Sequence, residues 1–183
     1  MFISLAALDG SILIWIQEHL RVALLDAFMV FYTNLGDHGL LWLFLCLCLL
    51  CHPRTRKAGI CGFCAIALGA LFTNVIIKQL VSRTRPYLAL EYALPLVISD
   101  DPNSFPSGHT CAAFAAAAGW WRSVPYRWMK ITGLVLAVLM GCSRLYTGVH
   151  YPSDVLAGAA VGWLSGMIIW KLNEKYPLPE QNR

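Results

Sequence analysis

The run from Ala58 to Val81 most constrains what this chain can fold into, because it is long, apolar and charged only at Lys78. A helix needs about 20 mostly apolar residues to cross a membrane, so this run predicts a transmembrane helix. Of the 183 residues, 58% are hydrophobic and 13% are charged, whereas soluble domains carry about 25% charged residues. We therefore expect one integral membrane domain over residues 1–183.

Further apolar segments predict an all-α, polytopic bundle of about six transmembrane helices. The predicted spans are residues 22–34, 40–51, 58–81, 107–121, 128–146 and 153–170. Residues 11–20 mix apolar side chains with Gln17, Glu18 and His19, and we expect an amphipathic start at the membrane interface. The N-terminus lacks a basic leader, so we expect no cleavable signal.

Lysine and arginine residues predict the orientation, because they concentrate in cytoplasmic loops. Nine lie in connections that share one end, which we assign to the cytoplasm together with both termini: Arg54, Arg56, Lys57, Arg122, Arg127, Lys130, Lys171, Lys175 and Arg183. Four basic residues lie at the opposite, extracytoplasmic end and need another explanation: Lys78, Arg83, Arg85 and Arg144. No basic stripe is present that would neutralise nucleic-acid phosphates, so the net charge of +4 does not indicate nucleic-acid binding.

Cysteine and glycine spacings favour packing roles. Cys61-x-x-Cys64 lies within an apolar helix without a nearby histidine, which favours buried thiols over a redox or metal site. Gly158, Gly162 and Gly166 recur at the interval that lets helices approach closely. The partner helix belongs either to the same bundle or to a second copy in a homodimer.

A first polar cluster pairs Lys78 with Arg85, directly before Pro86. Their separation is close to two helical turns, so both would lie on one face if the helix extends that far. A lysine and an arginine together suit a phosphate group. The alternative is that both side chains simply extend to the membrane surface.

A second cluster, Pro106-Ser107-Gly108-His109, opens a hydrophobic helix. Proline starts the helix, and the free N–H groups at its beginning form an anion site. Ser107 adds a hydroxyl group, and His109 can exchange a proton near neutral pH. The alternative is a capped helix with an interfacial histidine.

The third cluster contains Arg144, His150 and Asp154. His150 and Asp154 are four positions apart across a helix start, so the carboxylate can orient the imidazole as a nucleophile. Asp154 would also stabilise the helix start by its charge. All three clusters fall at the extracytoplasmic end, and together they predict a phosphoryl-transfer site.

These clusters resemble the signature of the type-2 phosphatidic acid phosphatase family, which is related to the vanadium haloperoxidases. The family pattern is K-x6-RP, PSGH and SR-x5-H-x3-D, and the chain matches every position from Lys78 to Asp154. The resemblance is to the bacterial membrane branch, which includes undecaprenyl diphosphatases. It implies six membrane spans and a lipid phosphate substrate at the outer leaflet.

The resemblance also implies a role for each matching residue. His150 would attack phosphorus to form a phosphohistidine, Asp154 would orient it, and His109 would protonate the leaving oxygen and then activate water. The phosphoryl oxygens would be bound by Lys78, Arg85, Ser107, the Gly108 amide and Arg144. It implies no metal and no other cofactor.

We favour undecaprenyl diphosphate as substrate, with phosphatidylglycerophosphate or phosphatidate as alternatives. A small lipid or anion transporter or scramblase is a candidate of another class, and the hydrophobic spans disfavour a soluble haloperoxidase.

Outside the motifs we expect Arg83 to meet lipid headgroups and Asp100-Asp101 to form a solvated turn. His19, His38 and His52 are interpreted as interfacial or structural, and the apolar segment 87–98 as a guide for the lipid.

Overall fold

The computed structural model describes residues 5–177, which form helices and connections with no β-strand in that range. In chain order the helices are α1 (Leu5–Leu20), α2 (Ala23–Leu35), α3 (Leu40–Leu50), α4 (Pro53–Ala70), α5 (Lys78–Val81), α6 (Pro86–Ala89), α7 (Gly108–Trp121), α8 (Arg127–Tyr146) and α9 (Pro152–Lys175). A 3-10 turn, Asp37–Gly39, joins α2 to α3, and a π-helical segment, Leu71–Ile77, joins α4 to α5. The predicted all-α fold is confirmed.

Three helices of the described chain are long and apolar enough to cross a membrane: Pro53–Val81, Arg127–Tyr146 and Pro152–Lys175. The first runs without a break from α4 through the π-helical segment into α5. Helices α2 and α3 form a fourth candidate, bent by 52° at the turn between them. Helix α7 has 14 residues, which is short for a span. The predicted count of about six spans is therefore not confirmed.

Helix α7 lies at the centre of the bundle, packed against α4, α8 and α9. Small residues permit this position, and those buried along it are Cys111, Ala113, Ala115, Ala116, Ala117, Ala118 and Gly119. A Cβ atom at Gly162 would lie 2.3 Å from the carbonyl oxygen of Cys111, and one at Gly166 would lie 2.4 Å from Cβ of Ala118.

The spaced glycines of α9 therefore pack against α7 of the same chain. This corresponds to the first of the two alternatives, in which the partner helix belongs to the same bundle. The surface that a homodimer through Gly158, Gly162 and Gly166 would need is already occupied by α7.

All seven cysteines are free thiols. Cys61 is buried, and its carbonyl group lies against α7 near Gly119, whereas Cys64 is exposed. The two thiols of the Cys61-x-x-Cys64 pair thus have different surroundings.

The basic connections gather at one end of the bundle. Nη1 of Arg54 donates to the hydroxyl of Tyr126 at 3.4 Å, which joins the connection before α4 to the one before α8. The guanidinium of Arg122 stacks on Trp170, near the end of α9, with 4.1 Å to the ring centroid. The grouping of these positive charges agrees with the sequence prediction.

Helix α1 lies across the opposite end, where α8 ends and α9 begins. Asp9 accepts a hydrogen bond from the backbone N–H of Ser153 at 3.1 Å, and Arg21 donates to the carbonyl oxygen of Tyr146 at 3.3 Å. Residues 5–177 thus begin at this end and finish at the other, because α1 does not cross the bundle. The prediction that both termini lie on the cytoplasmic side falls on residues 1–4 and 178–183, outside the described range.

We expect Gly162→Ala to destabilise the protein by about 1–3 kcal/mol, because its new methyl group would overlap the backbone of α7. The matched control is Gly10→Ala, whose Cβ would meet Leu90 at an ordinary contact distance of 3.5 Å. Thermal unfolding in detergent should show a lower midpoint for Gly162→Ala only. Equal midpoints for the two variants would contradict the packing described.

Candidate active site

His150 and Asp154 face each other where α8 gives way to α9. His150 is 1% exposed, and its Nδ1 lies 3.6 Å from Oδ2 of Asp154. This distance exceeds that of a hydrogen bond, but it directs Nδ1 towards the carboxylate. Nε2 points the other way and lies 3.3 Å from Nη1 of Arg85. Burial, followed by the positive charges of Arg144, Arg85 and Lys78, lowers the pKa of His150, which favours the neutral, nucleophilic imidazole.

Asp154 is held by two further partners. Oδ2 accepts from the backbone N–H of Tyr151 at 2.9 Å, and Oδ1 accepts from Nη1 of Arg83 at 2.7 Å. Nη2 of Arg83 donates to Asp9 of α1 at 2.8 Å, and the guanidinium stacks on Tyr151. The prediction that Arg83 meets lipid headgroups is wrong, because two carboxylates neutralise its charge.

Three cations converge beside His150. Lys78, Arg85 and Arg144 are 8%, 2% and 4% exposed. Arg85 donates through Nη1 to the carbonyl oxygen of Val149 at 3.0 Å, and Arg144 donates through Nη1 to the hydroxyl of Thr33 at 2.7 Å. A buried cation is costly unless an anion or several acceptors compensate it, so this cluster favours an anionic ligand.

The loop before α7 supplies a carboxylate to these cations. Asp101 forms an ion pair with Lys78, and its carbonyl oxygen accepts from Nε of Arg85. Burial alone would raise the pKa of Asp101, but hydrogen bonds from Lys78 and the N–H of Asn103 hold it below its usual range. The side chain of Asp101 is 41% exposed and forms a turn with Asn103, but the prediction of a solvated turn did not include its ion pair with Lys78.

The beginning of α7 follows the expected capping pattern. Oγ of Ser107 accepts from the N–H of Thr110 at 3.4 Å and lies 2.9 Å from its hydroxyl. This hydroxyl group caps the helix and does not line the cavity beside His150, so the capping alternative describes Ser107. Gly108 does line the cavity, and a Cβ there would lie 3.2 Å from the side-chain oxygen of Asn74.

His109 has a carboxylate partner that the sequence analysis missed. Its Nε2 lies 2.9 Å from Oδ1 of Asp37, in the turn between α2 and α3. That turn was interpreted only as a connection. A polar turn, Gly36-Asp37-His38-Gly39, between two apolar segments was the available signal.

These groups surround one cavity of about 570 Å³. Six of the eight predicted site residues line it: Lys78, Arg85, Gly108, His109, Arg144 and His150. Asp154 lies behind His150, and Ser107 lies within the helix cap. The residues that the sequence analysis missed include Asn34, Asp37, Thr73, Asn74, Ser99 and Asp101. The cavity thus combines His109 and His150 with three cations and a helix beginning, which together can bind a phosphoryl group and transfer it. A third histidine, His38, also lines it.

The chain is similar in sequence and fold to several known proteins. An undecaprenyl-diphosphatase from Sulfolobus acidocaldarius is 33% identical over 146 residues, covering 79% of this chain and 69% of that protein. The crystal structure of Aquifex aeolicus LpxE has a TM-score of 0.80 and 29% identity, covering 93% of this chain and 99% of that one. The transmembrane PAP2-type phosphatidylglycerolphosphate phosphatase from Bacillus subtilis has a TM-score of 0.75 and 27% identity, covering 93% of this chain and 86% of that one.

The match to the family itself covers most of the chain. The profile of the PAP2 superfamily matches residues 58–177, which include every motif residue and the helices that position them. Sequence, fold and site therefore agree, and the chain belongs to the PAP2 superfamily.

Proposed function

We propose that this protein is a membrane lipid phosphatase that hydrolyses a lipid phosphate or diphosphate through a phosphohistidine. The observation that carries the proposal is one cavity lined by His150, His109 and three buried cations, with Nε2 of His150 3.3 Å from Nη1 of Arg85.

The first step transfers the phosphoryl group to the protein. Nε2 of His150 attacks phosphorus, the bond from phosphorus to the lipid oxygen breaks, and His109 donates its proton to that oxygen. Asp154, which faces Nδ1, stabilises the positive charge that develops on His150. In the second step His109 takes a proton from water, the resulting hydroxide attacks phosphorus, and the bond to His150 breaks.

The cations stabilise the charge on the transferring group. Lys78 supplies a compact ammonium, whereas Arg85 and Arg144 supply planar forks that match phosphate oxygens. The N–H groups at the beginning of α7 add further donors near Gly108. Asp101 would release Lys78 when a phosphate group enters, because both anions compete for the same cation.

We favour undecaprenyl diphosphate as the substrate. The supporting observation is the similarity to a protein named undecaprenyl-diphosphatase over 79% of this chain. Phosphatidylglycerophosphate is the second candidate, since a structural neighbour is named for that activity. The cavity would bind the phosphate that these lipids share, so selectivity between the candidate substrates must come from contacts with the lipid tail.

The decisive test compares phosphate release by the purified protein and by His150→Ala. We expect release from undecaprenyl diphosphate to exceed that from phosphatidylglycerophosphate and phosphatidate, with a chelator present throughout. His150→Ala should show no release above background, because the nucleophile is absent. His19→Ala is the matched control, since His19 is an exposed histidine of α1 whose ring stacks on Trp15.

Unchanged release by His150→Ala would refute the proposal. Lipid or anion movement across vesicles without phosphate release would instead support the transporter alternative. Strong inhibition by the chelator would contradict a mechanism that relies on side-chain cations alone.

Arg83→Gln should lower kcat about tenfold or more, because Asp154 would lose a charge-assisted hydrogen bond and orient His150 less well. KM should change little, since Arg83 does not line the cavity. Steady-state kinetics with the preferred lipid would measure both constants. The control is Arg127→Gln, at the opposite end, and a rise in KM alone would contradict the assigned role.

We further propose a multi-pass position in the plasma membrane, with the cavity at the extracytoplasmic face. The charge distribution supports it, because the basic connections lie at the end remote from the cavity. In this orientation α1 lies on the outer face and the end of α9 lies inside the cell.

Cysteine labelling in intact cells tests this orientation. In a cysteine-free background, an impermeant maleimide should modify Glu91→Cys, at the cavity end, and spare Glu174→Cys until the membrane is opened. Both native residues are exposed glutamates, so the pair differs in position rather than chemistry. The reverse pattern would overturn the orientation.

A further inference from the structure

The site contains a second pair of histidine and carboxylate besides His150 and Asp154. Nε2 of His109 lies 2.9 Å from Oδ1 of Asp37. Asp37 belongs to the turn between α2 and α3, whereas His109 belongs to the first turn of α7. The two residues are distant in sequence, so the pairing depends on the docking of the bent α2–α3 segment onto the central helix.

The backbone of that turn is built for close approach. A Cβ at Gly36 would lie 2.6 Å from Cε of Met140 and 3.0 Å from Cδ2 of His109. After Asp37, His38 and Gly39 have φ values of 52° and 75°, in the left-handed region that few side chains adopt readily. The turn therefore lies directly against the imidazole ring of His109, and the carboxylate of Asp37 contacts Nε2 of that ring.

We propose that Asp37 is a positioning residue for the general acid His109, an inference that rests on the proposed function. With Asp37 bound at Nε2, the nitrogen left for the reaction is Nδ1. When His109 is protonated, Nε2–H stays with Asp37 and Nδ1–H is transferred to the leaving oxygen as its bond to phosphorus breaks. The neutral ring then keeps Nε2–H, and Nδ1 accepts the proton of the attacking water.

The location of Asp37 supports a role in the reaction. Its side chain is 51% exposed and lines the same cavity as the three cations. A carboxylate in an anion-binding cavity repels the substrate and lowers ground-state affinity. A faster proton transfer would offset that loss of substrate affinity. Asp37→Asn should therefore lower kcat while leaving KM unchanged or reduced, whereas loss of a binding residue would raise KM.

The test compares two substrates with each variant. The first, dioctanoyl phosphatidate, has an alkoxide leaving group that must be protonated. The second, p-nitrophenyl phosphate, has a phenoxide that leaves without protonation. For Asp37→Asn we expect kcat for the first to fall about tenfold or more, in line with general acid catalysis. For the same variant, the rate of the pre-steady-state burst of nitrophenol should stay within about threefold of the wild-type rate.

Two further variants complete the experiment. Asp37→Glu keeps the carboxylate and should recover part of the kcat with dioctanoyl phosphatidate. Glu174→Gln removes an exposed carboxylate at the opposite end of the bundle and should match the wild type, because Glu174 does not line the cavity. The ratio of the two substrate rates is internal to each preparation, so partial misfolding does not alter it.

Each outcome has a separate meaning. Equal losses with both substrates, a rise in KM alone, or a wild-type ratio for Asp37→Asn would overturn the role of Asp37. Failure of the wild-type protein to release phosphate from these two substrates and from undecaprenyl diphosphate would instead overturn the proposed function, and this inference with it.

Discussion

The contact between the first turns of α7 and α9 positions both histidines. A Cβ at Gly158 would lie 2.4 Å from the carbonyl oxygen of Ser107, and the N–H of Ser107 donates to the carbonyl oxygen of Asp154 at 3.0 Å. The missing side chain at Gly158 lets the two backbones meet. His109 lies in one of these turns and Asp154, which faces His150, lies in the other. The separation of the two histidines thus depends on a contact between backbones.

Charge explains the rest of the site. Among the cations near the cavity, Arg83 is neutralised by Asp9 and Asp154, and it supports the structure. Lys78, Arg85 and Arg144 are more deeply buried than Arg83, but within residues 5–177 the ion pair of Lys78 with Asp101 is the one that these three cations form. This difference separates Arg83 from the three cations that we propose bind phosphate. The family pattern had already set Arg83 apart from those three, but the sequence did not indicate its two carboxylate partners.

The sequence was sufficient to predict the parts of the site formed by residues that are close together in the chain. Lys78–Arg85, Ser107–His109 and His150–Asp154 each join residues near in the chain, so spacing and helix geometry were sufficient. The partners of Arg83 and His109 come from α1 and from the α2–α3 turn, and only tertiary packing brings them together. The roles of Asp9 and Asp37 were missed for that reason. The count of about six spans is not confirmed, because α7 is a 14-residue helix enclosed by other helices and its length does not indicate a span.

The apolar segment 87–98 connects an apolar surface with the polar cavity. Tyr92, Leu94 and Ile98 are 78%, 66% and 81% exposed, yet Val97 and Ile98 line the cavity beside Asp101. Large exposed apolar side chains at a membrane surface favour contact with lipid. A lipid phosphate held by Lys78 would therefore have its first tail atoms against this segment. The displacement of Asp101 by phosphate and the seating of the tail would then occur on one loop, which links recognition of the headgroup to recognition of the chain.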